Sequence, residues 1–134
     1  MGKRVLVIDS NSDTRSVVVS AIPRAHIVSY AAHGDEAQAM LAEASERLTP
    51  YHLVVIDLDL PGISGLEVVS LLRLLEEPRK LAGRPLTTKI LALSDSPNGE
   101  LIYGANALAC DLFLVKPVDR ARLQEAVESL CPAD

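Results

Sequence analysis

Tryptophan is absent from this 134-residue chain and aromatics make up only 3% of it, so a stacking platform for bases or sugars is excluded. Cysteine is nearly absent too. Cys110 and Cys131 stand alone without C-x-x-C spacing, which excludes a disulfide framework and predicts free, reduced thiols, with Cys110 a small core residue. No apolar run approaches the roughly 18 residues of a membrane span. Positive charge is scarce: the net charge is −5, and Arg79, Lys80, Arg84 and Lys89 are the one basic cluster, placed in an expected solvated loop. A nucleic-acid partner, which needs a basic stripe, is therefore not expected. His26, His33 and His52 share no metal-ligand spacing and are expected at the surface or at strand edges. Repeats, low-complexity tracts and long linkers are missing. The chain passes from Met1-Gly2-Lys3-Arg4 straight into an apolar run without a signal-peptide pattern, and position 6 is not Ser or Thr as myristoylation requires. Cytoplasm is the default expectation.

What is present is an ample core in one domain over residues 1–134, with 49% hydrophobic and 23% charged residues. Four short apolar runs each end at a residue with chemistry. Val5 to Ile8 ends at Asp9, Leu53 to Ile56 at Asp57, Ile90 to Leu93 at Ser94, and Leu112 to Val115 at Lys116. Such runs are the pattern of buried parallel strands, and open α/β sheets bind ligands at the carboxyl ends of their strands. One sheet edge thus gathers two carboxylates, a hydroxyl and an ammonium, a set able to hold a small hard cation and handle a phosphoryl group.

Helical patterns alternate with the strands. The first helix is predicted from near Asp13, capped by Asn11 or Ser12, to Pro23, followed by a half-buried strand at about Ala25–Ala31. Ala37, Met40, Leu41, Ala44 and Leu48 form the apolar stripe of a second helix that Pro50 closes. Ser64 and Glu67 make a capping box for a third, running towards Leu75. Pro78, Gly83 and Pro85 mark the stretch 76–88 as a connector. A fourth helix is predicted at about 97–108 despite Gly99 and Gly104, and a fifth carries Leu123, Ala126, Val127 and Leu130 on one face.

In its motifs the chain resembles the receiver domains of two-component response regulators, of the CheY-like superfamily, from about Lys3 to Leu130. The segments that carry the resemblance are RVLVIDS at Arg4–Ser10, HGDEAQAML at His33–Leu41, VVIDLDLPGISGLEVV at Val54–Val69, KILALS at Lys89–Ser94 and LFLVKP at Leu112–Pro117. The resemblance implies a flavodoxin-like, doubly wound sheet of five parallel strands in order 2-1-3-4-5 with five helices. Asp57 is then the phospho-acceptor, and Asp9 holds Mg²⁺ together with Asp57 and the backbone carbonyl of Asp59, whose side chain in such domains usually points away from the pocket. Ser94 donates to a phosphoryl oxygen, Lys116 pairs with it in a Lys–Pro peptide that is commonly cis, and Ser94 and Phe113 form the switch.

One departure is important. Receivers usually have two adjacent acidic residues after the first strand, and here the second is Ser10, a poorer metal ligand than a carboxylate. Weak Mg²⁺ binding is therefore expected, with Ser10 holding a water or Asp13 compensating. Asp95, unusual beside Ser94, is expected to face solvent.

The implied partners are a histidine kinase or phosphotransfer protein, and a downstream protein on the face of the fourth helix, fifth strand and fifth helix. Neither nucleic acid nor membrane is expected. The chain is either a stand-alone receiver or a piece of a larger protein. Two rivals stand beside this reading. A pseudo-receiver working unphosphorylated is suggested by Ser10 and Asp95. A phosphatase of the haloacid-dehalogenase type is suggested by Asp57-x-Asp59 but lacks the usual Thr or Val after the second Asp, where Leu60 is followed by Pro61.

Overall fold

The computed structural model describes residues 2–83, 87–95 and 110–132. Among them run β1 (Arg4–Ile8), α1 (Ser12–Ser20), β2 (Ile27–Ala31), α2 (Gly34–Glu46), β3 (Leu53–Asp57), α3 (Gly65–Leu81), β4 (Lys89–Ser94), β5 (Leu112–Val115) and α4 (Arg120–Leu130). All pairings are parallel and the sheet order is β2-β1-β3-β4-β5, as the motifs implied. Four helices lie among the described residues rather than five, because the helix predicted at 97–108 falls outside them.

Successive strand residues feed opposite cores, since side chains alternate across a sheet. Leu6, Ile8, Val54, Ile56, Ile90 and Ala92 pack beneath α2 and α3 with Ala37, Leu41, Val68 and Leu72. Val5, Val7, Leu53, Val55, Leu91 and Leu93 pack beneath α1 and α4 with Val18, Leu123, Ala126 and Val127. A sheet covered on both faces must be apolar on both, which is why β1, β3 and β4 read as unbroken apolar runs.

Helix boundaries follow local chemistry. Asn11 caps α1, its side chain accepting from the amides of Asp13 and Thr14. The helix stops at Ser20, short of Pro23, and β2 begins at Ile27. Helix α2 ends before Leu48, which is exposed with φ at +58° and not on the buried stripe. There the Thr49 amide reaches back to the Ala44 carbonyl, a Schellman closure that demands the left-handed conformation at Leu48. Ser64 supplies the serine half of the predicted capping box, accepting from the Glu67 amide.

The larger correction concerns 76–88. Helix α3 continues through Pro78 to Leu81, so Arg79 lies on a helix and Lys89 on a strand rather than in a solvated loop. Proline removes the bond to the carbonyl four residues back, here that of Leu74, which sits on the exposed side of the helix and can turn its carbonyl to water. Buried Glu76 holds the extension in place. Its carboxylate accepts from the Thr88 amide at 2.7 Å and from Arg73 Nη1 at 2.9 Å. Arg73 also donates to the Thr88 carbonyl and faces Asp111, which in turn accepts from the Ile90 amide.

Two of the three histidines are structural. Nδ1 of His26 accepts from the Lys3 amide and Nδ1 of His52 from the Arg4 amide, so both imidazoles hold the entry to β1. Of the expected surface or strand-edge positions, His26 takes a buried one next to the edge strand β2, while His33 is exposed at the start of α2.

Candidate functional site

The carboxyl ends of β1, β3, β4 and β5 bring Asp9, Asp57, Ser94 and Lys116 together. The register does this directly: Ile8 lies opposite Ile56, Asp57 opposite Leu93, and Ser94 opposite Val115. The ladder continues one step past the strands, with Asp9 N–H donating to Ala31 and Lys116 N–H to Ser94. The Lys116–Pro117 peptide is cis.

Asp9 and Asp57 are buried, and Lys116 stands between them, its Nζ 3.0 Å from Asp9 Oδ2 and 3.4 Å from Asp57 Oδ2. Burial pushes the Asp57 carboxyl above its ordinary value, and the Asp9 charge adds to the rise against the opposing Asp59 amide and Lys116. For Lys116, burial works against the charge, but its hydrogen bond to Asp9 and the Asp57 charge outweigh it and hold the ammonium above 10.5. The three groups together carry one net negative charge. Asp9 Oδ1 accepts from the Asn11 amide and Asp57 Oδ1 from the Asp59 amide, which fixes both carboxylates.

Gly65, the first residue of α3, lets that helix reach the end of β3. A Cβ there would lie 2.5 Å from the Asp57 carbonyl oxygen and 2.6 Å from Leu58 Cα. Ser10 and Asp13 are exposed, and Asp95 faces solvent as expected. Asp13, Asp95, Lys116 and Pro117 border an open cleft of about 330 Å³ with Val17 and Leu123. Phe113 is half-buried and packs on the core beneath α2 and α3. Half-buried Cys110 packs there too, its thiol pushed up to about 11 by burial.

Two placements were not foreseen. Arg15, on α1, donates to the Asp9 carbonyl at 2.7 Å. The Asp59 side chain does not point away from the pocket: its Oδ2 accepts from the Ser94 hydroxyl at 2.9 Å and the Asp95 amide at 2.8 Å. The Asp57-x-Asp59 spacing was visible, but it does not encode which way the second carboxylate turns.

The donor set suits a hard divalent cation. Mg²⁺ takes oxygen ligands, commonly one or two carboxylates, with water and phosphate completing its shell. Asp9, Asp57 and the Asp59 carbonyl answer to that, and the residual negative charge favours a cation.

Comparison with known proteins gives the family and the fold. The family model described as response regulator receiver domain matches residues 5–128. The sensory/regulatory protein RpfC of Xanthomonas campestris is 29% identical over 127 residues, which is 95% of this chain and 16% of that protein. Probable histidine kinase 2 of Oryza sativa is 30% identical over 114 residues, 78% of this chain and 10% of that protein. The chain thus spans a small part of the length of these relatives. Among solved structures, the chemotaxis response regulator CheY4 of Vibrio cholerae superposes with a TM-score of 0.78 at 24% identity, covering 97% of this chain and 99% of that one. The receiver domain of Ssk1, from its co-crystal structure with the phosphotransfer protein Ypd1 of Saccharomyces cerevisiae, gives 0.79 at 24% identity, covering 96% and 88%. This chain belongs to the response regulator receiver domain family.

Proposed function

We propose that this receiver domain accepts a phosphoryl group on Asp57 from the phosphohistidine of a histidine kinase or phosphotransfer protein, with Mg²⁺ at Asp9, Asp57 and the Asp59 carbonyl. The observation that carries the reading is a buried carboxylate at the end of the central strand, 3.4 Å from an ammonium that a second carboxylate also holds. An Asp57 oxygen attacks phosphorus, and the P–N bond breaks as the O–P bond forms. The electron pair stays with the departing imidazole nitrogen. The protein's part is positioning and charge neutralisation. Asp59 N–H orients the nucleophile, and Lys116, held protonated by its two partners, offers its ammonium to the phosphoryl oxygens. When bound, Mg²⁺ supplies further positive charge against the same oxygens.

The domain is a signalling module in the cytoplasm, not a turnover enzyme. Its output is a changed protein-binding surface, for which Ser94 and Phe113 are the switch. Of the face proposed for the downstream partner, β5 and α4 are described, while 97–108 lies outside the described residues. The co-crystal of Ypd1 with the Ssk1 receiver supplies a precedent for a phosphotransfer partner. The large relatives are a precedent for such a domain within a longer regulator.

Incubation with acetyl phosphate and Mg²⁺ is expected to add one phosphoryl group by intact mass, labile to hydroxylamine and lost in Asp57→Asn. Equal labelling of that variant rules the assignment out. A second reading, an interaction module working unphosphorylated, draws support from Ser10 and from the engaged state of Ser94. Absence of labelling in the wild type would select it.

Ser10 sets the metal requirement. Losing one contribution to a metal site typically costs about 10–100-fold in affinity. Ser10→Asp is accordingly expected to lower the Mg²⁺ needed for half-maximal labelling by about 10-fold or more. Unchanged Mg²⁺ dependence would mean that Asp13 or water already completes the site.

A further inference from the structure

We propose that the Asp59 carboxylate is an internal occupant of the anion-binding end of the site, which the phosphoryl group must displace before Ser94 can serve it. The inference rests on Asp57 being the phospho-acceptor. Asp59 sits two residues past β3's last position, and its side chain spans to the end of β4. There Oδ2 takes two donors at once, the Ser94 hydroxyl at 2.9 Å and the Asp95 amide at 2.8 Å. A side-chain hydroxyl and the next backbone amide converging on one point form a cradle for an anionic oxygen.

Proton count makes the two states exclusive. A serine hydroxyl has one hydrogen to donate, and a backbone amide has one. Ser94 follows Leu93, the partner of Asp57 across the sheet, so a phosphoryl group on Asp57 arrives beside the same cradle. It brings three strong acceptor oxygens and close to two negative charges. The Ser94 hydrogen cannot serve both acceptors, and two anions cannot share the cradle without repulsion. Asp59 is exposed, so its displaced carboxylate can turn into water. The contact thus works as a threshold. It holds the domain in its unmodified state and releases the β3–α3 loop from the end of β4 once Asp57 is modified.

The test compares wild type, Asp59→Asn and Asp59→Ala in initial labelling by acetyl phosphate with Mg²⁺, at low salt and at high salt. Neither substitution touches the Asp59 main-chain carbonyl assigned to the metal. Asp59→Ala is expected to label about ten-fold faster, the size of a charge-assisted hydrogen bond lost from the unmodified state. Asp59→Asn, which keeps a neutral acceptor, is expected to fall between, and the order is expected to survive high salt. The Asp95 amide resonance is expected to move upfield in unphosphorylated Asp59→Ala, and to shift in wild type on phosphorylation as its acceptor changes. Equal rates, or an Asp95 amide unmoved by Asp59→Ala, overturn the displaced-carboxylate proposal alone. So does an acceleration equal in both variants that vanishes at high salt, since that is bulk charge repulsion. Labelling of no variant overturns the phospho-acceptor reading and this proposal with it.

Discussion

Lys116→Ala is expected to lower the stability of the metal-free protein by about 3 kcal/mol at neutral pH, the lower end of what breaking a buried ion pair costs. The Lys116 side chain is 10% exposed and serves two aspartates whose side chains are 2% and 6% exposed, so its loss leaves Asp9 and Asp57 uncompensated. The pH profile should identify the cause. A carboxyl whose folded pKa is raised contributes stability that is full below its ordinary value of 3.8 and lost as pH rises through the folded value. Without Lys116 the rise at Asp57 is larger, so the deficit of the variant should shrink in acid and grow towards neutrality. At the alkaline end the sign is the same for Lys116 itself. Its contribution is present below 10.5 and fades as pH climbs through its raised folded pKa, so wild type and variant should converge there. Millimolar Mg²⁺ should restore part of the loss by replacing the missing positive charge. Denaturant titrations across pH, with and without the metal, measure all of this. A deficit independent of pH would assign it to lost packing.

Glu76→Ala should cost a similar amount, about 3 kcal/mol or roughly 10 °C in melting temperature, at the other end of the sheet. The buried carboxylate satisfies Thr88 N–H and takes one bond from Arg73, and its removal strands the Thr88 amide and leaves Arg73 with the Thr88 carbonyl and Asp111. Glu76→Gln keeps one acceptor oxygen and should lose about half as much. Because this network lies at the amino-terminal ends of β4 and β5, the folded variants should still be labelled at Asp57 at the wild-type rate. A melting temperature unchanged in Glu76→Ala would show that water replaces the carboxylate freely.

The sheet and the gathering at its edge were legible in the sequence because both depend on strands whose apolar runs end at their functional residues. Asp9, Asp57, Ser94 and Lys116 needed no information beyond the ends of four runs. The cap of α1 was legible as Asn11 or Ser12, since such a signal lies within three residues of its targets, and the structure selects Asn11. What escaped was long-range or directional. Pro78, Gly83 and Pro85 mark 76–88 as a connector, yet Glu76 and Thr88, twelve residues apart, tie the helix down through a bond that leaves no periodic trace. The bond from Asp59 to Ser94 spans 35 residues, and an Asp two places after a strand reads the same whichever way it turns. Leu48 satisfied the helical spacing but lies two residues past the end of α2, where the Schellman closure takes over.

The two cores lying on opposite faces of the sheet carry a consequence for how a message could leave the site. Asp57 shares the parity of Leu53 and Val55, and Lys116 that of Leu114, so both charged groups stand in register with the side that faces α1 and α4. Ser94 shares the parity of Ile90 and Ala92, and Phe113 packs on their side, towards α2 and α3. The sheet is therefore a partition wall with the charge on one side and the Phe113 ring on the other. On the proposed reading, a change made at Asp57 reaches Phe113 over the wall's upper rim, and among the described residues Ser94 and Asp59 are joined there by a hydrogen bond.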